Sequence, residues 1–323
     1  MTIRWGIIGC GDVVRKRIAR AIIEDPSSEL VAACRRDELE LVKFCQKFQV
    51  AGAYRSHDEL LRDSSVDAVY IATPVSGHRD QTIDAAAAGK HVLVEKPMAM
   101  NVRQCDEMIH ACREHGVVLG VAYYRRFYPL VQRLRELMAG GTIGSLLSVS
   151  ATTSCPLFEN QTFDGYWRVD PAVSGGGPLM DVGSHRIDLF LDLLGDIDDA
   201  RAHVSNPTAD YGTEQIATVS LQFRSGQLGT LQCCFGTSTD RDEFSLLGSA
   251  GALDVPCLNG DTLIIRQGNE STTEIHAPPE NLCAPLIADF VEAISLKREP
   301  RVSGETGRET NRIVAMAYES AGS

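Results

Sequence analysis

The amino-acid sequence predicts two domains: an α/β domain with a parallel sheet over residues 1–122, and an α+β domain with a large open, mostly antiparallel sheet over residues 123–323. Through the first 120 residues, short apolar runs rich in β-branched side chains alternate with helical stretches. This alternation is typical of a parallel sheet covered by helices on both faces. From residue 199 onward strands follow one another, and helices return at about 281–297 and 306–320. A chain of 323 residues also exceeds what one core usually serves.

Charge and composition narrow the range of functions. The formal net charge is −12, and because nucleic acid and anionic membranes both need a basic face, neither is an expected partner. No apolar run approaches the roughly 18 residues that cross a bilayer. The first strand begins at Ile3 and leaves no room for an export signal, so the expected location is the cytoplasm. The ten cysteines form no Cys-x-x-Cys pair and share no metal-like spacing with the eight histidines, so we expect neither disulfides nor a metal site.

The first strand, Ile3–Ile8, runs into a glycine turn and then a helix that continues to about Asp25. Glycines in such a turn let backbone N–H groups approach a pyrophosphate, which lies at the positive end of the helix. Strand, turn and helix are the parts of a dinucleotide-binding Rossmann unit. We therefore predict that four residues here bind a nicotinamide dinucleotide: Gly9, Gly11, Asp12 and Val13.

The second strand, Leu30–Cys34, ends in two arginines, Arg35 and Arg36. At this strand end an acidic residue holds the ribose diol of NAD, whereas arginine accommodates the 2′-phosphate of NADP. Asp37 lies a little late for the first role and could equally cap the next helix. The arginines favour NADP over NAD as the cofactor, and the alternative is a solvated charge cluster at a helix start.

Within the run His91–Pro97, three apolar residues predict another short buried strand, and Glu95, Lys96 and Pro97 follow it. Proline cannot donate to a sheet ladder, so the strand must end there and Lys96 lies at its carboxyl end. Ligands of open α/β sheets bind outside these strand ends, which makes Lys96 a candidate for chemistry. The alternative is a surface salt bridge.

In the second half, Gly175–Gly177 and a proline open a predicted helix that carries Asp181 and His185 four residues apart. That spacing places both side chains on one face of a helix. A carboxylate one turn from an imidazole can fix its tautomer and stabilise its protonated form, as a general base requires. A surface Asp–His pair is the alternative, but apolar neighbours predict a buried helix, in which polar groups need partners.

The remaining strands show the pattern of an antiparallel sheet. Apolar and polar residues alternate through Ile216–Phe223 and Leu228–Phe235, which flank the turn at residues 224–227. Such alternation predicts a hairpin with one apolar face and one more polar face.

The motifs resemble, in order along the chain, those of the glucose–fructose oxidoreductase/inositol dehydrogenase (Gfo/Idh/MocA) family of NAD(P)-dependent oxidoreductases. The resemblance covers essentially the whole chain and implies an N-terminal Rossmann domain followed by an open sheet that often mediates homo-oligomerisation, here as a dimer or tetramer. The motifs are Gly9–Gly11, Thr73-Pro74 with His78, Glu95–Pro97, Arg125–Phe127, and Gly175–Gly177 with Asp181, Gly183, His185 and Asp188. The implied catalytic residues are Lys96, Asp181 and His185, and those implied near the nicotinamide are Thr73, Pro74, His78 and Glu95.

The implied reaction is hydride transfer between the nicotinamide and a secondary alcohol or carbonyl of a sugar, cyclitol or related polyol. His185, oriented by Asp181, is expected to exchange the hydroxyl proton, and Lys96 to stabilise the developing alkoxide. Lys96 and His185 are accordingly expected to point into the same cleft. Candidates for the substrate wall are Tyr124, Arg125, Trp167 and Arg168, with ordinary interdomain packing as the alternative for each.

Three other functions stay open at this stage. An NAD-dependent glycosidase oxidises and re-reduces its sugar with no net change in the cofactor. A dinucleotide-sensing regulator keeps the fold and loses catalysis, although the presence of Lys96, Asp181 and His185 together speaks against it. A reductase of a non-sugar, such as a dihydrodiol or a linear tetrapyrrole, keeps the chemistry and changes the substrate.

Overall fold

The computed structural model describes residues 2–156 and 166–322. The chain forms two compact units. The first comprises residues 1–124 and 281–311, and the second comprises residues 125–280 and 312–323. No helix of the described residues is long and apolar enough to cross a membrane.

The first unit contains a six-stranded parallel sheet in the order β3-β2-β1-β4-β5-β6. Its strands are β1 (Ile3–Ile8), β2 (Ser28–Cys34), β3 (Gly52–Tyr54), β4 (Ala68–Ile71), β5 (His91–Val94) and β6 (Leu119–Val121). Its helices are α1 (Ala19–Glu24), α2 (Glu38–Phe48), α3 (His57–Leu61), α4 (His78–Ala87), α5 (Val102–Glu114) and α9 (Ala284–Leu296). The predicted parallel sheet is confirmed, and its strand order is that of a Rossmann fold.

Side chains at the helix starts explain where these helices begin. Asp37 accepts a hydrogen bond from the Glu40 backbone N–H at the start of α2, and Asn101 accepts one from the Gln104 N–H at the start of α5. Such caps satisfy N–H groups that have no partner within the helix. Asp37 therefore has the capping role that the sequence left open beside ribose binding.

Three neighbouring strands of this sheet end level with one another. Ile8 pairs with Ile71, and Ile71 pairs with Val94. The backbone N–H of Ala72 donates to the Ile8 carbonyl at 2.8 Å, and that of Glu95 donates to the Ile71 carbonyl at 2.8 Å. The segments that follow β1, β4 and β5 therefore leave the sheet at the same edge.

Residues 281–311 pack on the parallel sheet, whereas the sequence placed everything after residue 122 in the second domain. In α9 the ring of Phe290 lies 5.5 Å from that of Trp5, centroid to centroid. A Cβ added to Gly120 in β6 would lie 2.9 Å from the Phe290 ring, so this close approach needs glycine. The apolar face of a helix can pack on any apolar sheet. For that reason the sequence pattern alone could not predict which of the two sheets α9 packs against.

The second unit contains an eight-stranded sheet in the order β14-β13-β12-β11-β7-β10-β9-β8. Its strands are β7 (Leu146–Cys155), β8 (Ile197–Ser205), β9 (Ile216–Phe223), β10 (Leu228–Phe235), β11 (Arg241–Gly248), β12 (Ala252–Val255), β13 (Thr262–Gln267) and β14 (Glu270–Ile275). The pair β7–β10 is parallel and the other pairs are antiparallel. Its helices are α6 (Pro129–Ala139), α7 (Pro171–Ser174) and α8 (Ser184–Leu194), while α10 (Gly304–Ser320) contributes residues to both units.

The β9–β10 hairpin confirms the alternation predicted for this sheet. Val219, Leu221 and Phe223 are buried, and the residues between them are exposed. In β10, Cys233 is fully buried and its neighbour Cys234 is partly exposed, since adjacent side chains point to opposite faces. All ten cysteines carry free thiols.

Candidate functional site

The glycine turn after β1 is shaped by contact on one side and open space on the other. Gly9 has a φ of +97°, and a Cβ there would lie 2.7 Å from the backbone carbonyl of Ala72. A Cβ on Gly11 would meet no described atom within 4 Å. Gly9 is therefore required by its backbone angle and by the neighbouring strand, while Gly11 borders space that a ligand's phosphates would fit.

The segment that follows is a π-helical turn, Val14–Ile18, which continues directly into α1. No side chain of the described residues caps its start, where Val13 stands. The carboxylate of Asp12 pairs instead with Arg15 at 3.1 Å and Lys16 at 3.3 Å, and these bonds hold the pKa of Asp12 below its usual range. The backbone N–H groups of this turn, rather than the Asp12 side chain, are suited to an anion.

At the end of β2 the structure brings one of the two predicted arginines to the glycine turn. Arg35 Nη1 donates to the Cys10 carbonyl at 2.7 Å. Arg36 is exposed. Asp37 is engaged as the cap of α2. The side chain of Arg35 is thus fixed beside the predicted pyrophosphate site.

His78 connects the loops that follow β4 and β5. It is 1 % exposed, with Nε2 at 2.9 Å from the Thr73 carbonyl oxygen and Nδ1 at 3.1 Å from that of Pro97. Burial lowers the pKa of His78, and hydrogen bonds to these carbonyls oppose the shift. Thr73 also donates from Oγ1 to Gln81 at 2.7 Å. The imidazole predicted to lie near the nicotinamide therefore bridges two backbone segments.

Glu95 and Lys96 leave the sheet at the end of β5. Tyr70 in β4 is fully buried and donates from its hydroxyl to Glu95 Oε1 at 2.7 Å. The backbone N–H of Lys96 donates to Glu95 Oε2 at 3.1 Å, and the Lys96–Pro97 peptide bond is cis. Burial, followed by the charge of Glu95, raises the pKa of Tyr70, so this phenol stays a donor. Sequence reasoning missed Tyr70, although one phenol in an aliphatic buried strand signals a polar partner.

Two of the predicted substrate-wall residues have partners within their own units. Arg17 Nη1 donates to the Tyr124 hydroxyl at 3.2 Å, and the Arg17 guanidinium lies 5.7 Å from the centre of that ring. Arg125 is buried and donates to Asn259 Oδ1 at 3.1 Å. Tyr124 and Arg125, adjacent in sequence, are therefore each fixed by a different segment.

In the second unit Trp167, Arg168 and Asp181 form one cluster. The Arg168 guanidinium stacks 4.5 Å from the Trp167 ring centre and donates to Asp181 at 3.3 Å and to the Tyr166 hydroxyl at 2.9 Å. Burial opposes its charge, but Asp181 and Tyr166 raise the pKa of Arg168 overall. This contact ties Asp181 to the segment that carries Trp167 and Arg168.

The segment that carries Asp181 is not the uninterrupted α-helix that the sequence predicted. Residues Leu179–Gly183 form a π-helical turn that leads into α8, where His185 is 5 % exposed. A π turn is wider than an α turn, and such turns occur frequently at functional sites. The predicted burial of this segment is confirmed, and the contact through which Asp181 orients His185 stays a prediction.

Helix α8 is held in place by a buried salt bridge between Arg126 and Asp188, which belong to two of the motifs that resemble the family. Arg126 bonds both carboxylate oxygens of Asp188 at 3.0 Å and reaches Asp192 at 3.3 Å, and Arg135 also pairs with Asp192. Burial raises the pKa of Asp188 to about 6, against the opposing effect of Arg126. These motif residues are thus engaged in holding the helix that bears His185.

Two further residues adjoin Gly175–Gly177 and were missed by sequence reasoning. Glu214 accepts hydrogen bonds from the Gly177 and Leu179 backbone N–H groups, and Tyr318 donates to Glu214. They lie 37 and 141 residues from Gly177 in the chain, and no local pattern connects them. Residues 157–165, which lie outside the part of the chain that the structure describes, contain none of the predicted site residues.

The structure thus combines a Rossmann sheet that has a glycine turn with a second unit that contains a buried histidine, His185, and an arginine-paired carboxylate, Asp181. These features indicate a nicotinamide-dependent oxidoreductase. Residues 3–123 match the model of the oxidoreductase family with an NAD-binding Rossmann fold, and residues 131–254 match the Gfo/Idh/MocA C-terminal domain. The chain belongs to the Gfo/Idh/MocA family and is an NAD(P)-dependent dehydrogenase or reductase.

Comparison with individual proteins agrees with this membership. The chain is 30% identical over 310 residues to 1,5-anhydro-D-fructose reductase of Ensifer adhaerens, covering 94% of this chain and 92% of that protein. It is 30% identical over 270 residues to trans-1,2-dihydrobenzene-1,2-diol dehydrogenase of Mus musculus, covering 83% and 79%. The solved structure of aldose-aldose oxidoreductase from Caulobacter crescentus, complexed with glycerol, superposes with a TM-score of 0.91 at 27% identity, covering 99% and 98%.

Proposed function

We propose that the protein transfers hydride between NADP and a secondary alcohol or carbonyl of a sugar, cyclitol or related polyol. The observation that supports the proposal is that β1, β4 and β5 end at paired residues, at the same edge of the sheet. This alignment brings the glycine turn and Glu95–Lys96 to one edge of the parallel sheet, where ligands of such sheets bind. The relatives named for 1,5-anhydro-D-fructose and for aldoses support a polyol or sugar as the substrate class.

When bound, the nicotinamide supplies the hydride chemistry, and the residues of this chain supply binding and proton transfer. The backbone of Gly9, Gly11 and Val13 would hold the pyrophosphate, because among the described residues none fills the space beside Gly11 and no side chain caps the helix start. Thr73, Pro74 and Glu95 would lie near the nicotinamide, with Asp12 on the surface beside the turn. His78 would help to position the nicotinamide end of the cofactor, because it fixes the loops after β4 and β5.

The preference for NADP is supported by the residues that follow β2. Arg35 is fixed against the Cys10 carbonyl, and Arg36 is exposed at the same strand end. Asp37, the acidic residue that could hold a ribose diol, is engaged in capping α2. A guanidinium offers paired donors to a phosphate, so both arginines suit the 2′-phosphate.

Proton transfer is assigned to His185, with Asp181 as the group that orients it. Arg168 donates to Asp181, and a carboxylate close to an imidazole favours the protonated form that arises when His185 takes the substrate proton. Lys96 would donate a hydrogen bond to the same substrate oxygen as it becomes an alkoxide. Trp167, with Tyr124 and Arg125, is proposed to contact the faces of the polyol.

The test is an absorbance assay of reduced nicotinamide with NADP and NAD against polyols, aldoses, keto-sugars and a trans-dihydrodiol. We expect NADP-dependent turnover of a polyol or sugar. Lys96→Ala should lower kcat by about 10²- to 10³-fold and leave cofactor binding intact, whereas the exposed Lys43→Ala should behave as wild type. Normal turnover by Lys96→Ala would contradict the assigned role.

The same assay separates the other functions. Transient cofactor reduction with net glycoside hydrolysis would identify a glycosidase. Tight dinucleotide binding without turnover of any substrate would identify a sensor. Turnover of the trans-dihydrodiol alone would favour a non-sugar substrate. We include this compound because the chain is similar to the murine trans-dihydrodiol dehydrogenase.

We further propose that the protein assembles as a dimer or tetramer through the outer face of the eight-stranded sheet. Leu228 and Leu247 are 58% and 50% exposed, and both lie opposite Ser148 on neighbouring strands, so they share one face. Exposed leucines on a Ser/Thr-rich sheet face suit contact with a second copy. Light scattering after size exclusion tests this: Leu228→Lys with Leu247→Lys should dissociate the oligomer, and a monomeric wild type would contradict the proposal.

A further inference from the structure

The three consecutive glycines of the second unit lie against two side chains from distant parts of the chain. A Cβ added to Gly176 would lie 2.3 Å from the Tyr318 hydroxyl, and one added to Gly177 would lie 2.3 Å from the Glu214 carbonyl oxygen. Gly175 has a φ of +80°, which suits glycine for a separate reason. Packing therefore requires Gly176 and Gly177 to lack side chains, because Glu214 and Tyr318 take the space.

The Glu214 carboxylate is held by three donors. It accepts from the Gly177 N–H at 2.9 Å, from the Leu179 N–H at 3.1 Å and from the Tyr318 hydroxyl at 2.7 Å. The first N–H groups of a helical segment have no partner within the segment and carry partial positive charge. Burial raises the pKa of Glu214, and the three hydrogen bonds oppose that shift by favouring the carboxylate. The carboxylate of Glu214 thus supplies hydrogen-bond acceptors for backbone N–H groups at the start of the helical segment.

Two hydrogen bonds at Gly177 connect the Glu214 carboxylate to the backbone of Asp181. Glu214 accepts a hydrogen bond from the N–H of Gly177, and the carbonyl of the same residue accepts one from the Asp181 N–H at 3.0 Å. The adjoining π turn, Leu179–Gly183, leads directly into the first turn of α8, which carries His185. The position of the Asp181 backbone therefore depends on a residue that is fixed by Glu214.

We propose that Glu214, held by Tyr318, is a positioning residue for proton transfer: it fixes the backbone of Gly177, and through it the placement of Asp181 and His185. The proposal rests on the proposed function of these two residues. Reactions that depend on aligned groups lose on the order of 100-fold in rate when a group is displaced by about 1 Å. Glu214 is thus expected to act on kcat without contacting the substrate.

The experiment compares Glu214→Gln and Tyr318→Phe with wild type in steady-state kinetics and in amide hydrogen exchange of residues 177–185. The glutamine keeps the shape of Glu214 and replaces one acceptor oxygen with a donor, which cannot face an N–H group. We expect kcat to fall about 10- to 100-fold, the KM for the cofactor to stay within about twofold, and exchange at the Asp181 amide to accelerate about tenfold. Tyr318→Phe removes one of the three bonds and should show the same changes at smaller size.

Glu59→Gln is the matched control. Glu59 lies in the first unit and accepts from two backbone N–H groups, those of Arg55 at 3.1 Å and Ser56 at 3.4 Å. It should lose stability without a change in kcat or in exchange of residues 177–185.

The outcomes separate this proposal from the proposed function. An active wild type with unchanged kcat and unchanged exchange in Glu214→Gln would overturn the positioning role and leave the function standing. An inactive wild type would overturn the proposed function, and the exchange measurement would still decide whether Glu214 fixes the segment. A loss of kcat in Glu59→Gln equal to that in Glu214→Gln would assign both losses to general destabilisation and overturn the proposal.

Discussion

The two units contain the same local element, but they differ in what lies at the backbone N–H groups where its helical segment starts. In each, a glycine-rich stretch leads into a π turn and then an α-helix: Gly9–Gly11 into Val14–Ile18, and Gly175–Gly177 into Leu179–Gly183. In the first unit no described side chain caps the start, and the space beside Gly11 is open. In the second the Glu214 carboxylate is already present. Glycines before a helix therefore indicate an anion site only when no residue of the chain supplies the anion.

The two elements also differ in what holds them. The turn of the first unit rests on backbone contacts and on the Arg35 side chain, near exposed ions such as Asp12 with Lys16. The segment of the second unit is followed by α8, whose Asp188 pairs with Arg126 among buried groups. An open turn and a segment proposed to carry proton transfer place different demands on the same local structure, and four predictions test that contrast.

The largest expected effect is on the buried ion pair. Asp188→Ala should lower the free energy of unfolding by about 3–5 kcal/mol, because it leaves the buried Arg126 charge without its carboxylate. Asp12→Ala, which breaks an exposed pair in the first unit, should cost under about 1 kcal/mol. Urea unfolding followed by circular dichroism measures both. Equal losses would mean that the two elements are not held differently.

The next effect is a pH dependence that originates in the second unit. Burial raises the pKa of Asp188 to about 6 from an ordinary 3.8. Because the folded-state pKa is the higher one, its stabilising contribution is complete below about pH 3.8 and is lost as the pH rises through 6. The difference between these two pKa values corresponds to about 3 kcal/mol of stability.

Asp188→Asn removes this titration and keeps the shape of the side chain. Between pH 4 and 7 the free energy of unfolding of wild type should therefore fall relative to that of Asp188→Asn, by up to about 3 kcal/mol. Denaturant titrations at four pH values measure the difference. Curves that run parallel across this range would contradict the assignment to Asp188.

The third effect contrasts glycines at equivalent places in the two elements. Gly177→Ala places a Cβ 2.3 Å from a backbone oxygen, so we expect a loss of about 1–3 kcal/mol in stability. Gly11→Ala meets no described atom within 4 Å and should leave stability within about 0.5 kcal/mol, while it weakens dinucleotide binding. Thermal unfolding and cofactor titration by fluorescence separate the two. A stability loss in Gly11→Ala equal to that in Gly177→Ala would remove the contrast.

The smallest effect concerns the choice of cofactor in the open site. Arg36→Ala should raise the KM for NADP by about tenfold and leave that for NAD nearly unchanged, since only NADP carries the 2′-phosphate. Arg35→Ala should act in the same direction and also loosen the glycine turn through the lost bond to Cys10. Arg55→Ala, at an exposed pair on the same unit, is the control. An equal change for both cofactors in Arg36→Ala would contradict NADP preference.

Much of the candidate site followed from local patterns. The short apolar run before Glu95 and the proline at position 97 placed Lys96 at a strand end, and the structure confirms this strand as His91–Val94. The helix start at Asp37 was ambiguous between a cap and a ribose ligand, and the hydrogen bond to Glu40 shows the cap. The π turn at Asp181 was not predicted, because residues four apart in an apolar stretch fit an α-helix equally well.

The sequence by itself determined the elements, their order, the two sheet types and the residue types of the site, because apolar periodicity, glycine and proline act on near neighbours along the chain. Only the tertiary structure decided which groups satisfy those elements: Phe290 against Trp5, Tyr70 on Glu95, and Glu214 with Tyr318 at Gly177. These partners lie tens to hundreds of residues apart. Their pairing depends on sheet register and burial, which local sequence does not encode, and it decides that one glycine-rich turn is open to an anion and the other is already filled.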